Sequence, residues 1–168
     1  LTAVAAEILA CRRLDFRGNR VDMSLPWEQQ TVQTAFLRHA GWDPLAAFDP
    51  ERFDVDLVNR VEPRLARDRP AVLKDFPSAA AAFAYCRPGD VPVAERWELY
   101  VAGVELANAY TELTDAAEYR RRMREWARLR ADSGREVYPP DEDFLRTLEP
   151  GLPPSAGVAL GVDRLVML

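Results

Sequence analysis

The sequence predicts an α+β fold: helices first, then an antiparallel sheet with a long helix inserted before its last strand. Three observations carry this. In the first half, apolar residues recur at helical spacing, as in the stripe Phe53, Leu57, Val58, Val61 and Leu65. From Val93 the pattern changes to two strand-like runs, 94–101 and 104–113, around the turn pair Ala102-Gly103. Such runs about a short glycine turn read as an antiparallel hairpin. The chain then closes on an apolar run with two glycines four apart, Gly157 and Gly161.

The elements follow in order. Ala, Val, Ile and Leu at helical spacing predict a helix over residues 2–13, and Gly18-Asn19 marks a turn inside the polar stretch 16–23. Pro26 and Trp27 precede a helix over about 28–40 that Gly41 ends. The apolar stripe predicts a further helix over 51–65. Residues 71–76 form a short strand stopped by Pro77. The alanine-rich piece 78–86 fits either a helix or a strand with a wide loop. Thr114-Asp115 is a helix cap, and a helix follows from about 115 to 132. It carries Arg120, Arg121, Arg122, Arg124, Arg128 and Arg130, which read as a solvated basic face or as contact with an acidic partner. Residues 141–148 make a short helix, and Pro150, Pro153 and Pro154 stiffen the loop into the last strand.

Composition narrows the function classes. The 168 residues suit one domain with a sizeable core. A net charge of −5 excludes a global basic field for nucleic acid. His39 is the only histidine, which argues against a His-rich zinc site and against a Ser-His-Asp site. Cys11 and Cys86 match no metal spacing and read as reduced, buried thiols of a cytosolic protein. No apolar run reaches membrane-spanning length, so a cytoplasmic protein with no membrane partner is expected. The chain starts at Leu1 and stops three residues after Leu165, and both ends look cut from something longer.

Two segments carry chemistry. In 157–168 the glycines let a flat ligand approach the strand backbone, and Arg164 at the strand-to-helix junction offers a planar cation suited to phosphate. This points to a nucleotide site. In the hairpin's second strand, Asn108, Tyr110 and Glu112 share a parity and therefore a face. An amide, a ring and a carboxylate there suit a small ligand bearing an ammonium group. Glu105 has the opposite parity, so the strand must bulge if Glu105 and Glu112 are to act on one ion.

On these residues the chain resembles a known family. Glu95 to Asp115 looks like the lysine-type class II aminoacyl-tRNA synthetases, and Gly157 to Leu165 looks like their motif 3. The resemblance is strongest to the lysyl-tRNA synthetase-like elongation factor P lysyltransferases, supported by Val61-Glu-Pro63, Asp75-Phe-Pro77 and Leu152-Pro-Pro154. It covers most of residues 25–168. It implies a single domain, 1–168, forming the C-terminal portion of a class II catalytic domain: an antiparallel sheet flanked by helices. It further implies ATP-dependent activation of lysine or β-lysine as an aminoacyl-adenylate, transfer to a lysine of elongation factor P, and a homodimer. Residue by residue, Glu105 and Glu112 would hold Mg2+ against the ATP phosphates. Leu106 and Gly161 would line the adenine side, and Arg164 would clamp the γ-phosphate or stack on the nucleotide. Asn108, Tyr110, Glu112 and Ala159 would face the amino acid, with Glu112 and Arg164 as the catalytic pair. Such a site works by positioning and charge neutralisation, without a protein nucleophile.

The chain also departs from the family. Ala109 replaces a glycine, which would hinder the pocket if that position needs positive φ or a close substrate approach. Ala159 stands where true lysyl-tRNA synthetases carry glycine, and the lysyltransferase group shares the alanine. Ser155-Ala156 stands where Cys-Ser or Cys-Ala is usual. Motifs 1 and 2 are not present; Phe16-Arg17-Gly18-Asn19 lacks the glutamate and the downstream loop of motif 2. The isolated chain is therefore expected to be inactive in adenylate formation. The alternatives are a fragment of a lysyl-tRNA synthetase, with tRNA-Lys as acceptor, and a non-catalytic paralogue that binds nucleotide, amino acid or a protein partner.

Overall fold

The computed structural model describes residues 12–168. The helix expected over 2–13 lies almost wholly outside them, and Arg13 opens a strand instead. Strands β1 (Arg13–Phe16) and β2 (Asn19–Asp22) form a hairpin about Arg17-Gly18, both at positive φ.

The main sheet has six strands, ordered β3-β4-β6-β7-β8, with the short β5 also pairing with β6. These are β3 (Glu28–Thr31), β4 (Ala71–Pro77), β5 (Cys86–Arg87), β6 (Val93–Val101), β7 (Val104–Thr111) and β8 (Ala156–Leu160). All pairs are antiparallel except β3 with β4. The helix expected over 28–40 begins only at Val32: α1 is Val32–His39. Glu28 to Thr31 instead pair with Ala71 to Lys74, so a tertiary partner overrides the local pattern. Thr31 then caps α1 by accepting from the Thr34 amide.

The helix expected over 51–65 is regular only in α2 (Pro50–Asp56). It widens into a π-helical turn at Leu57–Val61 and tightens into a 3-10 turn at Glu62–Arg64. Pro63 has no N–H to donate, which breaks the regular ladder there. Residues 78–86 resolve into a 3-10 turn at Ser78–Ala80, a bridge between Ala84 and Glu112, and the start of β5.

Two apolar clusters cover the two faces of the sheet. On the face we call the front, Leu73, Phe76 and Tyr100 pack with Val32, Phe36, Phe53 and Val61 from the helical segment. Phe36 and Phe53 stack at 4.8 Å. On the back, Leu99, Val101, Leu106 and Ala107 pack with Val21 and Met23 of the hairpin. Leu165 of the last helix, α5 (Val162–Met167), and the terminal Leu168 join that back cluster. Phe16 packs on the back as well, so the Phe16–Asn19 segment stands away from the front face.

Helix α3 (Ala116–Asp132) is capped by Asp115, whose Oδ1 accepts from the amides of Ala117 and Glu118. Its arginines are largely used within the fold. Arg120 pairs with Glu142 and Glu149, on and just after α4 (Glu142–Leu148), and Arg121 with Glu118 and Glu125. Arg122 is 8% exposed and donates to the carbonyls of Ala82 and Ala84, to Glu118, and to the Cys86 sulfur at 3.4 Å. Cys86 is thus half-buried rather than buried; Cys11 lies outside the described residues. Arg122→Ala strands the Ala82 and Ala84 carbonyls and is expected to cost about 2–4 kcal/mol. A urea-denaturation midpoint unchanged by the substitution would contradict that role. No helix among the described residues is long and apolar enough to cross a membrane.

Candidate active site

The site is built on the front of β6, β7 and β8. Register decides what faces it, because residues opposite each other across neighbouring strands share a face. Glu98 pairs with Asn108, and Asn108 with Ala159. Arg96 pairs with Tyr110, and Tyr110 with Gly157. Asn108, Tyr110 and Ala159 therefore stand together, as their parity predicts.

Glu105 joins them through a bulge. Leu99 pairs with Ala107 but Tyr100 pairs with Glu105, so Leu106 is an extra residue on β7. The bulge reverses the parity and turns Glu105 to the front with Glu98, Tyr100 and Asn108. It also sends the Leu106 side chain, 1% exposed, into the back cluster. At the front Leu106 can offer only backbone, and its carbonyl accepts from the Gly161 amide at 2.9 Å.

Glu112 follows the end of β7. Its amide donates to the Ser155 carbonyl, and its neighbours Thr111 and Leu113 exchange hydrogen bonds with Tyr85 and Phe83. The segment 83–85 and the loop before β8 thus clamp its backbone. Its carboxylate leans over β8: a Cβ added to Gly157 would lie 2.7 Å from Glu112 Oε1. The Glu112 carboxylate therefore occupies the space where a side chain at Gly157 would begin, and Gly157 is not at positive φ. Tyr119 of α3 also borders this end. Its hydroxyl pKa is raised by burial first, then by Tyr110 and the negative charge of Glu112.

Arg164 lies in the first turn of α5. Its Nη1 donates to the Glu105 carbonyl at 2.6 Å and sits 3.6 Å from Glu105 Oε2. Its stem crosses Gly161, where an added Cβ would meet Arg164 Cδ at 3.2 Å. Glu105, Gly161 and Arg164 thus form one corner, while Asn108, Tyr110, Glu112, Gly157 and Ala159 line the rest of the same face.

Three residues beneath the site carry no mark in the parity of β7. Glu98 is 5% exposed, and its Oε1 accepts from Arg96 at 2.6 Å and from Asn108 Nδ2 at 3.0 Å. The Tyr100 hydroxyl donates to Glu98 Oε2 at 2.7 Å and lies 3.2 Å from Glu62 Oε1. Burial, followed by the field of Glu98, pushes the Tyr100 phenol pKa up. Burial also raises the Glu62 carboxyl pKa; the Tyr100 hydrogen bond opposes this, and Glu98 and Glu105 add to it. The signal that could reveal them is charge inside a strand: Glu98 opens the stretch of β6, through Val101, that is buried on both faces.

Ala109 is harmless to this arrangement. It is absent from the positive-φ positions, and it pairs with Trp97 and Val158, so its methyl points to the back. A cavity of about 430 Å³ opens on that other side, over Trp97, Ala109 and Val158, and touches the candidate site only at Arg96, Tyr110 and Gly157. The chemistry lies on the open front face rather than in this cavity, because the convergent charged and polar groups are there.

The chain is similar in sequence to known ligases. The chain is 42% identical to an elongation factor P--(R)-beta-lysine ligase of Edwardsiella ictaluri, across 84% of this chain and 50% of that protein. It is 42% identical to the protein of the same name from Erwinia tasmaniensis, across 85% and 51%. A lysine--tRNA ligase of an Anaeromyxobacter species is 47% identical across 64% of this chain and 21% of its own length. The chain thus spans about half the length of these two elongation factor P ligases. Residues 3–168 match the family of class II tRNA synthetases (D, K and N). With its hairpin, bulge and glycine-bearing last strand on one sheet, the chain belongs to the class II tRNA synthetase family of the D, K and N type.

Proposed function

We propose that the chain forms the C-terminal part of the active site of a cytoplasmic ligase. The ligase activates lysine or (R)-β-lysine with ATP and passes it to a lysine side chain of elongation factor P. The observation that carries the reading is the bulge at Leu106. It puts the Glu105 carboxylate on the same face as Asn108, Tyr110 and Glu112, as one site for phosphates and an ammonium group requires.

Glu105 and Glu112 would hold a magnesium ion against the ATP phosphates. Among the described residues no group of three or more His, Cys, Asp or Glu converges as a metal cage. Two carboxylates on one face nonetheless fit magnesium, which commonly takes one or two carboxylates plus substrate phosphates. When bound, that ion would neutralise phosphate charge as pyrophosphate leaves. Arg164, beside Glu105, would add a fixed cation for the phosphates. Gly157 makes room for the Glu112 carboxylate, and Gly161, just after β8, for the Arg164 stem, so both charged groups can lie close to the strand. Glu112 would balance the charge of the substrate ammonium, Asn108 would accept from it, and the Tyr110 ring would pack on the methylenes. The homodimer of the family belongs to the same proposal.

Elongation factor P is favoured over tRNA because the ligases named for it match 84% of the chain, against 64% for the lysine--tRNA ligase. The test incubates the complete natural protein containing this chain with ATP and labelled (R)-β-lysine or lysine, offering elongation factor P or tRNA-Lys. Label on elongation factor P is the expected result. Label on tRNA-Lys alone would make the protein a lysine--tRNA ligase, and label on neither would leave a non-catalytic binding protein.

A further inference from the structure

Outside the active site, positive charge gathers on α3 and the loop after it. Between Ala116 and Arg135 stand seven arginines against three acidic residues, in a chain whose net charge is −5. Several of these arginines build the fold. Arg122 ties the helix to the segment 82–86, Arg121 is held by Glu118 and Glu125, and Arg120 holds Glu142 and Glu149. Arg130 donates to the Glu136 carbonyl and lies 5.1 Å from the centre of the Tyr138 ring.

Arg120 and Arg130 thereby fix the walls of a groove of about 140 Å³ between α3 and the segment 138–145. Met123, Ala127, Tyr138, Pro140 and Leu145 give it an apolar lining, and Arg124 stands along its side. Arg128 follows one turn later on the same side of the helix. Arg124 and Arg128 are exposed, and among the described residues neither makes a hydrogen bond or an ion pair. Trp126 and Leu129, on the same two turns, are exposed at 50% and 55%.

We propose that the groove between α3 and α4, with Arg124 and Arg128 beside it, docks an acidic face of the protein acceptor whose lysine receives the activated amino acid. The proposal rests on the reading of the complete protein as a ligase that acylates a protein. Charge sets the sign of the partner: a guanidinium with no carboxylate of its own is complementary to one that a partner brings. The neighbouring side chains set its class. Methionine, tyrosine, tryptophan and arginine are the types enriched at protein–protein interfaces. A nucleic acid is a poorer match, because its binding draws on several phosphate contacts. This helix interleaves Glu118, Glu125 and Asp132 with its arginines and leaves two of them uncommitted.

The position suits delivery of a lysine. The helix begins just after Glu112, and its Tyr119 borders Tyr110 and Glu112 and stacks on Phe83 at 4.2 Å. Arg124 and Arg128 lie about 8 and 14 Å further along the axis, from a rise of about 1.5 Å per residue. A folded partner seated on that surface stands beside the site, with a lysine on one of its loops free to enter the front face.

The test uses the complete natural protein and two readouts. ATP–pyrophosphate exchange with lysine or (R)-β-lysine reports activation alone, whereas transfer of the labelled amino acid to elongation factor P also reports docking. In Arg124→Glu/Arg128→Glu, exchange is expected to stay at the wild-type level while the KM for elongation factor P rises roughly tenfold, because two attractions become two repulsions. Added salt should raise the wild-type KM for elongation factor P and change that of Arg124→Ala/Arg128→Ala much less, since exposed charge pairs are screened. Normal exchange with an unchanged KM for elongation factor P in the charge-reversed variant overturns the proposal and leaves the ligase reading intact. A charge-reversed variant that loses transfer to tRNA-Lys and keeps transfer to elongation factor P overturns it in favour of a nucleic-acid surface. If that variant does not fold, Arg124→Ala/Arg128→Ala and its salt dependence decide. A wild-type protein without exchange removes the ligase reading, and the docking proposal with it.

Discussion

Glu112→Ala in the complete natural protein is expected to abolish amino-acid-dependent ATP–pyrophosphate exchange while leaving the fold intact. The fold has little need of the carboxylate. Among the described residues no side-chain hydrogen bond or ion pair holds it, whereas the Glu112 backbone is tied to Ser155 and to the bridge at Ala84. An alanine retains every one of those backbone bonds. On the proposed reading the site, by contrast, loses a metal contact and the counter-charge for the ammonium group together. Each loss of a charge-assisted contact in a catalytic site typically costs about two orders of magnitude, so the combined loss takes exchange below detection. Thermal melts and exchange assays on the same preparation check both halves. Retained exchange in a folded variant would move the metal and substrate roles away from Glu112.

Gly157→Ala should produce the second largest effect. The added Cβ would lie 2.7 Å from Glu112 Oε1, inside van der Waals contact, so either the carboxylate or the strand must move. Gly157 is not among the positive-φ glycines, so an alanine can adopt its backbone conformation. The strain therefore falls on the carboxylate and not on the fold. Misplacing a positioned group by about an ångström can cost on the order of a hundredfold, and kcat/KM for exchange should fall by roughly that factor. Gly157→Val should be worse still. Wild-type kcat/KM in Gly157→Val would show that the Glu112 carboxylate does not work where it lies against β8.

Much of this arrangement is legible in the amino-acid sequence. The hairpin about Ala102-Gly103, the Asp115 cap, and the shared face of Asn108 and Tyr110 follow from turn chemistry and strand parity. Both are local rules, which is why they transfer. Glu105 is legible only as a condition: strand parity puts it on the wrong face, and one extra residue at Leu106 reverses that. A bulge leaves no mark in composition, so the sequence states what is needed without showing that it happens. The bulge also explains why the Leu106 side chain packs into the back cluster while its backbone stays at the front.

Long-range pairing accounts for the rest. Glu28 to Thr31 carry no strand signal of their own and become β3 because Ala71 to Lys74 lie beside them. Glu98 is indistinguishable by parity from a solvated strand residue, yet Arg96, Tyr100 and Asn108 close around it and hold it buried. Arg122 reads as one of six surface cations and is in fact the buried tie between α3 and the segment 82–86. In each case the deciding partner is distant in sequence or on a neighbouring strand, where local periodicity carries no information.

Amino-acid-dependent ATP–pyrophosphate exchange by the complete natural protein, run across lysine, (R)-β-lysine, aspartate and asparagine, tests the central claim most directly. The front of β6–β8 holds Glu112, Asn108 and Tyr110, which suit a ligand with an ammonium-bearing side chain. Exchange stimulated by lysine or (R)-β-lysine and by neither of the other two is the predicted result. Exchange stimulated by aspartate or asparagine would contradict it.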